Sequence, residues 1–135
     1  PLAKSFVDWS CQKNPLLDNG ACSFFNALYE MNRPSILGGK PEEGKLILEK
    51  FIKDNPLNLL AQVLYLQYWI IPRGLEDEFK ASSENLENEF KEFSALETWS
   101  MGASNKFDTA KDINFYNSMA VRRFNLIKKY KNNLF

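Results

Sequence analysis

The chain has 135 residues, 44% hydrophobic and 25% charged, the composition of an ordinary globular domain. Lys+Arg 17 balances Asp+Glu 17, so no basic footprint for nucleic acid is present. Histidine is absent, which excludes Ser-His-Asp and Cys-His catalysis, histidine acid–base chemistry and histidine metal sites. The two cysteines cannot make a structural zinc site alone, and no spacing of carboxylates, lysines or tyrosines suggests a catalytic set. The expectation is a protein that is no enzyme and takes no cofactor or metal.

Leu2, Phe6 and Trp9 recur at roughly helical spacing, so a short helix opens the chain and Asn14-Pro15 breaks it. Asp18-Asn19-Gly20 reads as a turn or helix cap. Ala21, Phe24, Phe25, Leu28 and Met31 then form an apolar stripe over a helix at 20–32. Cys11 and Cys22 flank the turn. Two readings stand: a pair of small buried residues, or a disulfide closing a short loop, which needs an oxidising compartment. Without a CxxC pair or a neighbouring base, a redox role has no support.

Gly38-Gly39 precedes the next helix. No Walker lysine or spaced glycine fingerprint accompanies the pair, so it reads as a tight connection in which glycine supplies positive φ. Pro41, Glu42 and Glu43 suit the first turn of a helix over 41–54. Gly44, Ile47, Leu48, Phe51 and Ile52 share one face, and Asn55-Pro56 stops the run. Leu59 to Ile71 is apolar nearly all round, broken by Gln62 and Gln67. It is expected to be the central helix, at 58–71, because a helix with no polar face is covered on several sides. The run is too short for the ~20 residues of a membrane span. Gly44, Leu48, Phe51 and Pro56 also have the spacing of a tetratricopeptide second helix, with Phe51 large where that repeat wants alanine.

After Pro72 and Arg73-Gly74, the residues Leu75, Phe79, Leu86, Phe90 and Phe93 mark a helix over 75–95. Its other face is acidic, through Glu76, Asp77, Glu84, Glu87, Glu89 and Glu92. It reads as a solvated face rather than a cation site. A break at 98–106 follows, and Asp108 or Thr109 is a candidate cap for a last helix at 110–131. Ile113, Tyr116, Met119, Ala120, Phe124, Ile127 and Tyr130 are its expected apolar stripe. Arg122, Arg123, Lys128, Lys129 and Lys131 make it basic, and pairing with the acidic helix is expected, within the chain or between subunits. The expected fold is all-α, a single helical domain over 1–135 of antiparallel helical hairpins in a tetratricopeptide-like right-handed array.

Pro34, Leu37, Gly38, Gly39, Pro41 and Gly44 resemble the loop-to-helix signature of the T component of tripartite ATP-independent periplasmic (TRAP) transporters. Leu60 to Tyr65 and Tyr68 to Pro72 resemble that family's next helix. Asn117, Ala120, Arg122 and Arg123 resemble its late Asn-x-x-Ala-x-Arg-Arg segment, in the right order. The resemblance spans about 34–127, in a chain much shorter than the usual member, so a fragment or a reduced relative is expected. It implies a periplasmic, tetratricopeptide-like accessory protein, often lipid-anchored. It implies association with the transporter's substrate-binding subunit, a homo-oligomer (commonly a trimer) and a role in handing over a small hydrophobic ligand. Tyr65, Tyr68, Trp69, Trp99 and Phe115 are the candidate cleft-lining residues, as apolar rings with some polar handles. Plain core packing is the alternative for the same rings.

Overall fold

The computed structural model describes residues 2–14, 20–94, 106–107, 113–131 and 134. Among them there are six α-helices and no strand. The chain divides into two compact units, Pro1–Asp54 and Asn55–Phe135. The division falls at the Asn55-Pro56 stop.

The first unit holds α1 (Leu2–Lys13), α2 (Ala21–Asn32) and α3 (Pro41–Asp54). Gly20 starts α2 in the left-handed region, at φ 89°, where glycine carries no Cβ penalty. Asp18 and Asn19, the other members of the expected turn, lie outside the described residues. Helix α3 packs on α2 and runs antiparallel to it. Its first turn, at Gly44, meets Ala27 and Met31 late in α2, while Phe51 near its end meets Phe24 near the start of α2, the rings tilted with centroids 4.5 Å apart. A Cβ on Gly44 would lie 2.6 Å from the Ala27 carbonyl oxygen and 2.8 Å from the Met31 amide nitrogen. The two backbones therefore cross in near contact. This explains a departure from the expected stripe of α2. The buried residues are Cys22, Ala27 and Met31, whereas Phe24, Phe25 and Leu28 are half-buried. Gly44 and Ala27 stand at the point of closest approach, Met31 packs beside them, and the large rings flank it.

The second unit holds α4 (Leu59–Tyr65), α5 (Glu76–Ser94) and α6 (Asn114–Lys129). The expected central helix is not one regular α-helix. After Tyr65 it continues as a π turn over Leu66–Ile70 and a 3-10 turn over Ile71–Arg73. The Ile71 N–H reaches back to the Leu66 carbonyl, and Pro72 has no N–H to continue the ladder. Gly74 ends the segment at φ 63°, its N–H donating to the Ile71 carbonyl at 3.0 Å. Leu59, Ala61, Val63, Leu64, Leu66, Trp69 and Ile70 are all buried, which needs cover on every side but one.

That cover comes from α5 and α6. Phe79, Leu86, Phe90 and Phe93 of α5 are buried as their spacing predicts. Helix α6 contributes Asn117, Ala120 and Phe124. Phe90 meets Phe124, and Lys128 reaches Glu87, so α5 and α6 run antiparallel. Asn117 meets the start of α4, and Arg123 meets Gln67, so α4 and α6 run parallel, up-down-up with α5 between them in sequence. Two expectations for α6 need correction. Met119 and Tyr130 face solvent rather than the core. Ile113 stands in the N-cap position without a side-chain cap. Asp108 and Thr109 lie outside the described residues.

Candidate functional site

The Pro34–Pro41 connection is a clamped turn. The Pro34 carbonyl accepts from the Leu37 and Gly39 amides at 2.9 and 3.1 Å. Gly38 adopts φ 77°, and Gly39 lies so close to the Arg33 backbone that a Cβ there would collide with it. Glu30 holds the turn from beneath. It pairs with the Arg33 guanidinium and accepts from the Lys40 amide at 3.1 Å, just before α3 begins. A carboxylate at that point also suits the positive end of the α3 dipole. Arg33 donates in turn to the Gly38 carbonyl at 2.6 Å. The turn carries Ile36 and Leu37 outward, 93% and 67% exposed. Rigid backbone thus presents two aliphatic side chains to solvent. Lys40 forms an ion pair with Glu43, whose hydrogen bond raises its pKa above the ordinary lysine value.

The late Asn-x-x-Ala-x-Arg-Arg segment holds the second unit together. Asn117 is fully buried. Its Oδ1 accepts from the Leu59 amide at 2.9 Å and its Nδ2 donates to the Leu57 carbonyl at 3.0 Å. The Asn58 side chain, also buried, accepts from the Ala61 amide at 3.2 Å. Two asparagines, one local and one distant in sequence, so cap the N-terminus of α4. Ala120 is buried in the same face. Arg123 donates to Gln67 Oε1 at 3.1 Å, within the π turn, while Arg122 points to solvent.

The expected cleft residues separate. Tyr65 and Tyr68 are half-buried, while Trp69 is buried with the Arg73 guanidinium 3.2 Å from its ring centroid. These three share one segment, and its π turn sets their directions. Phe115 does not join an enclosed wall. It lies on the solvent side of α6, edge-on to Tyr116. Trp99 lies outside the described residues.

Cys11 and Cys22 form a disulfide, with their Cα atoms 5.6 Å apart, joining α1 to the first turn of α2. Such a bond is consistent with an oxidising compartment. Phe6 and Trp9 of α1 face solvent despite their helical spacing. No described helix is long and apolar enough to cross a membrane. No protein-family model, curated protein or solved structure matches the chain.

Proposed function

We propose that this chain is a non-enzymatic helical-repeat accessory protein of the TRAP T-component type, acting in the periplasm beside a substrate-binding subunit. The observation that carries the reading is the α2–α3 hairpin with its clamped Pro34–Pro41 turn. Its Gly38, Gly39 and Gly44 positions, on which the resemblance partly rests, are ones where the hairpin backbone favours glycine. A helical hairpin crossing on small residues is also the unit from which tetratricopeptide-like arrays are stacked. The disulfide supports export to an oxidising compartment. Handing over a hydrophobic ligand would fall to the half-buried Tyr65 and Tyr68, whose rings and hydroxyls combine apolar area with a polar handle. A trimer and a lipid anchor belong to the same proposal.

Co-purification with the substrate-binding subunit of a TRAP system is the direct test. Recovery of that subunit with the wild-type chain, and its loss on Gly44→Leu, is the expected result. A stable fold that retains no such subunit overturns the reading.

The exposed Ile36 and Leu37 favour a second reading, a tetratricopeptide-like interaction scaffold with an unrelated partner. It predicts that Ile36→Asp with Leu37→Asp abolishes partner capture without changing the circular dichroism spectrum.

A further inference from the structure

Helix α1 lies on α2 by its less apolar side. Lys4, Asp8 and Cys11 share one face, at i, i+4 and i+7, and this face is turned to α2. Lys4 lies over the Tyr29 ring at 5.3 Å, and Cys11 is bonded to Cys22. These two anchor points make α1 and α2 antiparallel. Phe6 and Trp9 occupy the opposite side of α1, 68% and 57% exposed. Over 4–13 no side chain of α1 is buried. The helix therefore takes little apolar surface out of water where it lies, and such burial is what ordinarily fixes a helix on its neighbour.

The hairpin beneath has a core of its own. Phe24, Ala27 and Met31 of α2 meet Gly44 and Phe51 of α3, and Ala27, Met31 and Phe51 are buried there. Cys22, Phe25 and Tyr29 line the other face of α2, the one that carries α1. Phe25 stacks on Tyr29 between the two anchors, and both rings are half-buried.

The bond itself is open to exchange. Cys11 is half-buried and Cys22 only 8% exposed, so access directs an incoming thiolate to the Cys11 sulfur. That attack breaks the S–S bond, joins the reductant to Cys11 and expels Cys22 as a thiolate. Cys22 stands in the first turn of α2, where the helix dipole favours negative charge. The second thiol of a dithiol then attacks the reductant's own sulfur and frees Cys11. Two electrons and two protons pass to the cysteine pair, and the reductant leaves as its disulfide.

We infer that Cys11–Cys22 is a latch: a dithiol reductant releases α1 from the α2–α3 hairpin, which stays folded, and uncovers Phe25 and Tyr29. A free helix of 12 residues is marginal in water, so the released segment also loses its helix. The inference concerns the first unit alone and does not rest on the transporter reading.

Hydrogen exchange read by mass spectrometry on the intact chain, with and without dithiothreitol and without denaturant, tests the latch. Thiol labelling should find no free thiol before treatment and both cysteines free after it. Amides of α1 should then exchange at least about tenfold faster, while those of α3 stay protected. Cys11→Ser with Cys22→Ser should reproduce the reduced pattern without reductant, and reoxidation of the wild type should restore the first one. In the same double variant, hydroxyl-radical footprinting should label Phe25 and Tyr29 more strongly than in the oxidised wild type. Equal protection of α1 with and without the bond would mean that the bond does not decide docking, and overturns the inference. Loss of protection in α3 together with α1 would make the disulfide a staple of the whole unit, and overturns it too. So does a bond that dithiothreitol reaches only in denaturant, or unchanged labelling of Phe25 and Tyr29.

Discussion

Asn117 shows how much one buried amide decides. Each of its two polar atoms meets a backbone group at the start of α4, and its fully buried position leaves water no access to replace them. Asn117→Ala should cost about 1–3 kcal/mol for each group left unsatisfied, read from urea melts. Asn117→Asp keeps the acceptor toward Leu59; protonated, its O–H can still donate to the Leu57 carbonyl, and ionised it loses that donor. It should fall between alanine and wild type near pH 4 and approach alanine at neutral pH, where a charge is buried. Gly44 works by absence. Gly44→Ala places a methyl against the Ala27 carbonyl and the Met31 amide, where backbone cannot give way as a side-chain end would. The substitution should destabilise the first unit by about 1–3 kcal/mol despite alanine's better helix propensity. Calorimetry showing a gain would contradict the close crossing. In sequence, Asn117 stood out only as part of a motif and Gly44 also as one position of a helix face; the contacts that explain them come from other helices.

At the scale of elements, the segment from Leu59 to Arg73 carries the second core. Leu64 is buried among its neighbours, and Leu64→Ala should cost about 2–5 kcal/mol in denaturant melts, whereas a loss under about 0.5 kcal/mol would mean the segment is peripheral. Trp69 combines burial with the Arg73 stack, so Trp69→Ala should cost about 3–5 kcal/mol and act on folding before it acts on any ligand. Between α5 and α6, the hydrogen bond from Lys128 is the main reason that Glu87 has a pKa below the ordinary glutamate value. A carboxylate depressed on folding stabilises the fold above its unfolded pKa, and the contribution disappears as pH falls through the folded value. A carboxyl titration by NMR should therefore place the Glu87 midpoint below that of an ordinary glutamate. Lys128→Gln should move it back up, and high salt should do so in part because the pair is exposed. The acidic face of α5 was legible as a solvated surface, and its pairing with α6 followed from opposite charge. The π turn was not legible, because a run that is apolar nearly all round has no periodicity in which a change of helix type would show.

For the whole molecule, the disulfide is the one covalent tie between helices. It closes a short loop, 11 residues in separation, and so restricts the unfolded chain. On the loop-closure argument, replacing Cys11 and Cys22 by serine should lower stability by about 2–4 kcal/mol. Comparison of thermal melts for the oxidised protein and the double variant measures this directly. Equal melting temperatures would mean that the tie adds nothing beyond the packing of α1 on α2, where Lys4 lies over the Tyr29 ring.

The sequence alone determined the limits of α3 and, to within a residue, those of α2 and α5, because those limits depend on local chemistry. Pro41 with Glu42 and Glu43 opens a helix, Asn55-Pro56 closes one, and the period of Phe79, Leu86, Phe90 and Phe93 names a buried face. It also excluded histidine chemistry by composition. Which helices pair was decided by tertiary structure. Helix α3 packs on α2 because Gly44 lets two backbones approach, and α6 lies parallel to α4 because Asn117 reaches its first-turn amide, which has no acceptor within the helix. The two apolar faces of α6 look alike in one dimension. Only packing assigns Ala120 and Phe124 to the core and leaves Phe115, Met119 and Leu126 in water, because hydrophobicity drives burial without specifying the partner.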